Sequence, residues 1–188
     1  MKLFNKGIGN IYIIDILSDM NLSGQFVTLF EGKIPVELKT PTSKEDLFAI
    51  LDEIAKVETF EGILIHLIAH GNENRERFVK DANFIVYWKE LVSRLTLINE
   101  GCDDSLIINA SNTCFSDALT LVKQAYPKAF HAAIYSIISR FEQAFSQNVT
   151  IYGKWLNGIN MIDAINEEND LIYDSQDDQI RPFGYIGN

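Results

Sequence analysis

Two apolar segments of the chain each end in a side chain that can take part in covalent chemistry. Residues 62–71 form an aliphatic run that ends in His70 and Gly71, and residues 106–114 form a second run that ends in Cys114. Short apolar runs bounded by turn residues predict strands that are buried on both faces of a parallel sheet. In such sheets, reacting groups collect at the carboxyl ends of the strands. We therefore expect His70 and Cys114 to lie close together at that edge.

The spacing of these two residues fits one crossover between neighbouring strands. His70 and Cys114 are 44 positions apart, which is near the roughly 50 positions that separate His and Cys in caspase-type proteases. A thiol attacks as its thiolate, and a neighbouring imidazole that takes up the proton makes the cysteine a useful nucleophile. The pair therefore predicts a cysteine hydrolase with a His/Cys dyad.

Three segments of the chain resemble the caspase-like cysteine peptidases, and most closely the bacterial CHAT-domain branch. Residues 63–71 resemble its strand, small residue and His-Gly signature, residues 84–91 its strand and Trp-x-x-Leu helix, and residues 112–116 its strand, Cys and helix. The resemblance covers roughly residues 10–170. It implies a three-layer α/β/α fold with a mostly parallel sheet and helices on both faces, and an endopeptidase that cleaves a specific protein.

The same resemblance assigns the oxyanion hole and marks one departure. It implies that the backbone N–H groups of Gly71 and Cys114 stabilise the negative oxygen of the tetrahedral intermediate. Many relatives have Ser-Ala before the cysteine, whereas this chain has Asn112 and Thr113. We therefore expect the end of this strand to be shifted or bulged. The departure leaves an alternative function open, namely a catalytically silent caspase-fold module that acts as a binding or regulatory subunit.

The residue pattern independently predicts an α/β fold, because strand-like and helix-like segments alternate. We expect strands at 10–17, 62–71, 106–114 and 130–138, an extended segment at 24–30, an exposed loop at 72–83, and helices at about 43–57, 88–98, 115–125, 139–149 and 159–166. A doubly wound nucleotide-binding or response-regulator domain is a further candidate. It lacks support, because the chain has neither phosphate-binding glycine motif.

Length and charge bound the domain, its location and its partners. The 188 residues predict a single domain over 1–188, and the acidic stretch that begins at 167 predicts a flexible tail over 167–188. The net charge of −10 disfavours nucleic acid and anionic membranes, and favours a protein or peptide partner with a basic cleavage site. No apolar run is long enough to span a membrane, and the amino terminus lacks a signal-peptide pattern, so we expect a cytoplasmic protein.

The other cysteine and histidines have simpler interpretations. Cys102 lies beside two acidic residues, which disfavour its thiolate, so we interpret it as an incidental thiol. His66 and His131 lie within predicted strands and are interpreted as core or supporting residues. The chain has three histidines and two cysteines without metal-ligand spacing, so we expect no metal and no cofactor.

Polar residues at two strand ends have open roles. Asn109, Ser111 and Asn112 either cap the following helix, which is the favoured interpretation, or orient the histidine as a third triad member. Asp15 interrupts the first strand, so it is a candidate buried acid that needs a partner. An acidic residue shapes the specificity pocket in several members of the resembled family, but no local pattern assigns that role to Asp15.

Overall fold

A computed structural model describes residues 7–71, 76–112, 117–136, 141–173 and 183–187. The strands found there are β1 (Ile8–Asp15), β2 (Val36–Lys39), β3 (Gly62–Ile68), β4 (His70–Gly71), β5 (Arg77–Asp81), β6 (Phe84–Tyr87), β7 (Leu106–Asn112), β8 (Ala132–Ser136) and β9 (Phe183–Gly187). The helices are α1 (Met20–Phe30), α2 (Lys44–Ile54), α3 (Trp88–Gly101), α4 (Asp117–Ala125), α5 (Phe141–Leu156) and α6 (Met161–Tyr173).

Six of these strands form one mostly parallel sheet in the order β2-β1-β3-β7-β8-β9. The first five strands pair in parallel, and β9 lies antiparallel to β8 at the edge. Each parallel step between β1 and β8 is made through at least one helix, as a parallel connection requires. The predicted α/β fold with a mostly parallel sheet is therefore confirmed.

Alternating side chains of the central strands belong to two separate hydrophobic cores. In β1, Tyr12 and Ile14 join one core, whereas Ile11 and Ile13 join the other, because successive residues of a strand point to opposite faces. The first core contains apolar side chains of α2, α3 and α4, and the second contains those of α1, α5 and α6. Each core thus combines side chains of the sheet with those of three helices. None of these helices, within the described residues, is both long and apolar enough to cross a membrane.

Several predicted helices are confirmed together with their buried faces. The buried residues are Leu47, Leu51 and Ile54 of α2, Leu91, Leu95 and Ile98 of α3, and Ala118, Leu119 and Val122 of α4. A side chain also caps the first turn of α2. Ser43 is the N-cap, because its hydroxyl accepts the backbone N–H of Asp46 at 3.1 Å.

The extended segment predicted over 24–30 is wrong, because these residues belong to α1. The carboxylate of Asp19 caps this helix by accepting the backbone N–H of Asn21 and of Leu22. Phe26 and Phe30, four residues apart, share one helical face and are fully buried in the second core. Burial of two aromatic rings stabilises the helix more than the weak β-propensity of the intervening residues favours a strand.

The exposed loop predicted over 72–83 is also wrong where the structure describes it. Residues 77–81 form β5, which pairs antiparallel with both β4 and β6 in a second, three-stranded sheet. Phe78 of β5 is fully buried, and its ring packs on that of Trp88 with the ring centroids 5.2 Å apart. Charged residues flank this phenylalanine, so the segment lacks the apolar periodicity that would predict a strand.

The predicted acidic tail needs correction at both ends. α6 continues to Tyr173 and so includes the first residues of that segment, and 183–187 form β9, whereas 174–182 and residue 188 lie outside the described residues. The side chain of Asn169 attaches β9 to α6. Its Nδ2 donates to the backbone oxygen of Phe183 and its Oδ1 accepts the backbone N–H of the same residue, both at 2.9 Å.

Replacing Asn169 by alanine is expected to lower the free energy of unfolding by about 1 to 3 kcal/mol, because two buried backbone groups of Phe183 lose their partners. Asn157→Ala is the matched control. Asn157 is exposed and donates to the backbone oxygen of Gly153 within its own helix end, so its loss should cost no more than about 0.5 kcal/mol. Urea unfolding of the three proteins measures the difference. Equal losses in both variants would contradict the attachment of β9 through Asn169.

Candidate active site

The two strands that precede His70 and Cys114 are direct neighbours in the sheet. β3 and β7 pair in parallel over most of their length, so their carboxyl ends lie at the same edge. His70 is two residues beyond the last residue of β3, Ile68, and Cys114 is two residues beyond the last residue of β7, Asn112. Cys114 itself lies outside the described residues. The prediction of neighbouring strands is confirmed.

A bulge near the end of β7 changes the register between these strands by one residue. His66 is paired with Asn109, 43 positions later, whereas Ile68 is paired with Asn112, 44 positions later. One residue of β3 therefore faces two residues of β7, which is the definition of a β-bulge. The prediction that this strand end is shifted or bulged is confirmed. The register beyond the bulge, 44, equals the separation of His70 and Cys114.

His70 is presented to solvent by the second sheet. It begins β4, where it pairs with Val79 of β5, and Gly71 follows it in the same short strand. The side chain of His70 is exposed, and Gly71 is partly exposed. Lys80 of β5 donates from Nζ to the hydroxyl of Ser18, 2.9 Å away, in the turn that follows β1. The second sheet is thereby attached to the carboxyl edge of the large sheet.

Beneath this edge, His66 belongs to a buried polar cluster that also includes residues of β7 and α5. Its Nδ1 lies 2.7 Å from the hydroxyl of Tyr152, and Nδ2 of Asn109 donates to the same hydroxyl at 2.7 Å. Burial raises the pKa of Tyr152 far above its usual range, so this hydroxyl keeps its proton. The ring of Phe26 packs on His66 with centroids 4.4 Å apart. The interpretation of His66 as a core residue is confirmed.

Asn109 and Ser111 do not cap the following helix, so the favoured interpretation is wrong for both. They are fully buried within β7. Oδ1 of Asn109 accepts the backbone N–H of Ser111 at 3.0 Å and its hydroxyl at 2.5 Å, and Nδ2 of Asn148 donates to that hydroxyl at 2.7 Å. Asn109 is thus linked through Tyr152 to His66. The side chain of Asn112 lies outside the described residues.

The partners on α5 escaped the sequence argument, although a signal for them exists. Asn148 and Tyr152 are four residues apart, so they occupy the same face of the helix as its buried apolar residues. A polar residue on the apolar face of a helix needs a buried partner. That signal identifies Asn148 as a member of a polar cluster, but it cannot identify a partner 37 and 39 positions earlier in the chain.

Asp15 is buried at the carboxyl end of β1, as its position within an apolar strand predicted. One carboxylate oxygen accepts the backbone N–H of Ser18 at 2.9 Å, and the other has no hydrogen-bond partner among the described residues. Burial raises the pKa of Asp15, and its hydrogen bonds oppose this effect only in part. Because its exposed fraction is 0%, Asp15 is not an open anionic pocket in this arrangement.

Cys102 has the environment expected of an incidental thiol, whereas His131 lies just before the strand in which we expected it. Cys102 follows α3, is fully buried, and its Sγ lies 3.5 Å from the backbone oxygen of Asn99. Burial is the main factor that raises the pKa of Cys102, and the nearby carboxylate of Asp104 adds to it. His131 is partly exposed just before β8, and its backbone N–H donates to the oxygen of Leu106.

A surface groove of about 270 Å³ lies between the start of α3 and α4. Tyr87, Trp88, Leu121, Val122 and Tyr126 are among the residues that line it. The side chains of Leu121 and Tyr126 are 61% and 48% exposed. Residues of α4 form one side of this groove.

Comparison with known proteins assigns no role to the residues of this site. No protein-family model matches this sequence, and a search of curated proteins finds no significant match. Among the described residues, no three side chains of the His, Cys, Asp and Glu types come together as a metal-binding group.

Replacing Asp15 by asparagine is expected to change how stability depends on pH. A buried carboxyl with a raised pKa binds its proton more readily in the folded state, so its contribution lowers the stability as the pH rises from the ordinary value of 3.8 through the raised pKa. Asp15→Asn removes this pH-dependent contribution to stability. Its free energy of unfolding relative to the unmodified protein should therefore increase between pH 4 and pH 8 in urea titrations.

The control for this experiment is Glu31→Gln, which removes a carboxylate from an exposed position at the end of α1. Its pH dependence should follow that of the unmodified protein more closely than that of Asp15→Asn. A constant stability difference for Asp15→Asn across the whole pH range would contradict the conclusion that burial raises the pKa of Asp15.

Proposed function

We propose that this protein is a caspase-like cysteine endopeptidase in which Cys114 is the nucleophile and His70 the general base. The observation that carries the proposal is the register of β3 and β7. Beyond the bulge, Ile68 is paired with Asn112, and the same spacing of 44 positions separates His70 from Cys114. Two residues past the end of each strand, the sequence has a base, His70, and a thiol, Cys114, which supports a dyad at this edge of the sheet.

The architecture supports the same proposal. Helices bury both faces of the six-stranded sheet through two separate cores, which fits the three-layer α/β/α arrangement of the resembled peptidases. The second sheet supports the proposal as well, because it presents His70 to solvent at the carboxyl edge. A base that must meet a protein substrate needs this exposure.

The proposed reaction divides one hydrolysis into two steps that share one base. The thiolate of Cys114 attacks the peptide carbonyl, and the His70 imidazolium gives its proton to the departing amine as the C–N bond breaks. In the second step His70 removes a proton from water, the hydroxide attacks the thioester, and Cys114 leaves as the thiolate. No cofactor or metal is required for either step. The backbone N–H groups of Gly71 and Cys114 stabilise the oxyanion in both steps.

The proposed substrate is a protein segment with a basic residue before the cut bond. The chain has 26 acidic and 16 basic residues, so its potential attracts cationic segments and repels anionic ones. Asp15 has no part in this proposal, because it is fully buried. We place the reaction in the cytoplasm, where a reactive thiol is kept reduced.

One observation favours a second candidate function, a catalytically silent module of the same fold that binds or regulates a partner protein. The groove between α3 and α4 exposes Leu121 and Tyr126, and exposed apolar side chains beside a groove are typical of binding surfaces. This candidate requires no activated thiol. The reactivity of Cys114 therefore distinguishes the two functions.

Cys114 is expected to react with iodoacetamide much faster at pH 7 than a thiol with a pKa of about 8.5, and His70→Ala should slow that reaction roughly tenfold or more. Cys102 should stay unlabelled in the folded protein, because it is fully buried. Mass spectrometry of the two cysteine peptides measures both rates. Equal labelling of both thiols, with no effect of His70→Ala, would favour the silent module.

Activity assays on a protein substrate complete this test. Cys114→Ala and His70→Ala should each abolish acyl-enzyme formation to a similar extent, since a nucleophile and its base act as one unit. Cys102→Ala is the control for loss of a thiol, and it should retain activity because Cys102 precedes β7, whereas Cys114 follows it, and the Cys102 side chain is fully buried.

Cleavage of a peptide library should show a preference for Lys or Arg over Asp and Glu before the cut bond, with a discrimination that weakens as salt is added. The salt series is the internal control, because screening acts on charge and leaves apolar contacts largely intact. A strong preference for Asp at that position would overturn the substrate assignment and leave the dyad unaffected.

A further inference from the structure

The bulge in β7 is held by side chains, and not by the strand ladder alone. Ala110 and Ser111 together face a single residue of β3, so the extra residue disrupts the ladder at this point. Oδ1 of Asn109 accepts the backbone N–H of Ser111 at 3.0 Å and its hydroxyl proton at 2.5 Å. One side chain therefore supplies the acceptors that the bulged backbone and hydroxyl require.

α5 completes this arrangement from the opposite side. Nδ2 of Asn148 donates to the hydroxyl of Ser111 and to the backbone oxygen of Ala144, both at 2.7 Å. Oδ1 of Asn148 accepts from Nδ2 of Asn109 at 2.9 Å. Each polar atom of the Asn148 amide thus has a partner, and the amide bonds to both Asn109 and Ser111 of β7.

The same cluster extends to β3 through Tyr152. The second hydrogen of the Asn109 amide goes to the hydroxyl of Tyr152, which lies 2.7 Å from Nδ1 of His66. All of these side chains are fully buried. A buried polar group that lacks its partner costs about 1 to 3 kcal/mol, so the cluster strongly favours the one arrangement in which every group is satisfied.

We propose that Asn109, Ser111 and Asn148 are positioning residues that hold the β7 bulge and thereby set the register in which β7 leads into the segment of the proposed nucleophile, Cys114. The inference rests on the proposed function and extends it to residues that do not touch the substrate. Without the bulge, the register of 43 that holds at Asn109 would continue to the end of β3, and Ser111 would take the position opposite Ile68 that Asn112 occupies. Side chains alternate between faces, so a slip of one residue also moves each later side chain of the strand to the other face.

A cluster that only stabilises the fold and a cluster that positions the thiol differ in which measured property they affect. Loss of a buried hydrogen bond lowers stability in either case, so a stability measurement does not separate them. The pH profile of Cys114 alkylation does, because it depends on the distance between the thiol and the His70 imidazole. A variant that remains folded and loses the low thiol pKa has lost the position of Cys114.

The test compares Ser111→Ala and Asn109→Ala with Ser111→Thr, which keeps the hydroxyl. The two alanine variants should move the inflection of the Cys114 alkylation profile toward pH 8.5 and slow alkylation at pH 7 roughly tenfold, as His70→Ala does. Ser111→Thr should retain much of the faster rate. In peptide hydrolysis, the alanine variants should lower kcat with little change in KM, since they do not contact the substrate.

Asn169→Ala is the matched control, because it also removes a buried asparagine that bonds to backbone, but at the edge strand β9. It should lose stability and keep the alkylation profile of the unmodified protein. If the Ser111 and Asn109 variants behave like Asn169→Ala, the positioning role is overturned while the dyad stands. If alkylation of the unmodified protein is slow and independent of His70, the dyad fails, and the positioning role fails with it.

Should Asn109→Ala fail to fold, the pair Ser111→Ala and Ser111→Thr decides the question alone, since both replace a single small side chain. Tyr152→Phe should have an intermediate effect on the alkylation profile of Cys114. It removes one hydroxyl that bonds to Asn109 and leaves the contacts of Asn109 with Ser111 in place. Its alkylation profile should lie between those of the unmodified protein and Ser111→Ala, and a profile beyond that of Ser111→Ala would contradict the central role of the bulge.

Discussion

The parallel pairing of β3 with β7 is the constraint on which the rest of the structure depends. These are the two central strands of the six-stranded sheet, and their side chains enter both hydrophobic cores. The strands are linked by the second sheet and α3, which must therefore pack on one face of the large sheet. Because the pairing fixes where both strands end, it also decides which residues meet at the carboxyl edge.

The two faces of this central pair of strands carry different kinds of side chain. On the side of α2, α3 and α4 the contacts are apolar, with Ile65 and Ile108 among the buried residues. On the side of α1 and α5, the apolar core surrounds the polar cluster of His66, Asn109 and Tyr152. Apolar contacts stabilise without direction, whereas hydrogen bonds hold only at particular distances and angles. The polar cluster therefore adds specificity of register to a sheet that hydrophobic burial alone would leave free to slip.

Much of the fold could be predicted from local patterns, and the misses have a common cause. α2, α3 and α4 show helical spacing of apolar residues along a single segment, and the helices were predicted from it. α1 was missed because its helical period depends on Phe26 and Phe30, whose burial requires α5 as a partner. β5 of the second sheet was missed because Phe78 is the one buried side chain among its five residues. Edge strand β9 depends on Asn169, a residue whose partner is 14 positions away.

For the candidate site, the sequence by itself determined the residue types and the spacing of 44 positions between His70 and Cys114. It also indicated that the end of the second strand departs from a regular ladder, since Asn112 and Thr113 replace small residues there. Only the tertiary structure decided where the extra residue lies and which side chains hold it. The physical reason is that periodicity is a property of one segment, whereas the bonds of Ser111 reach Asn148 on a helix that the chain forms much later.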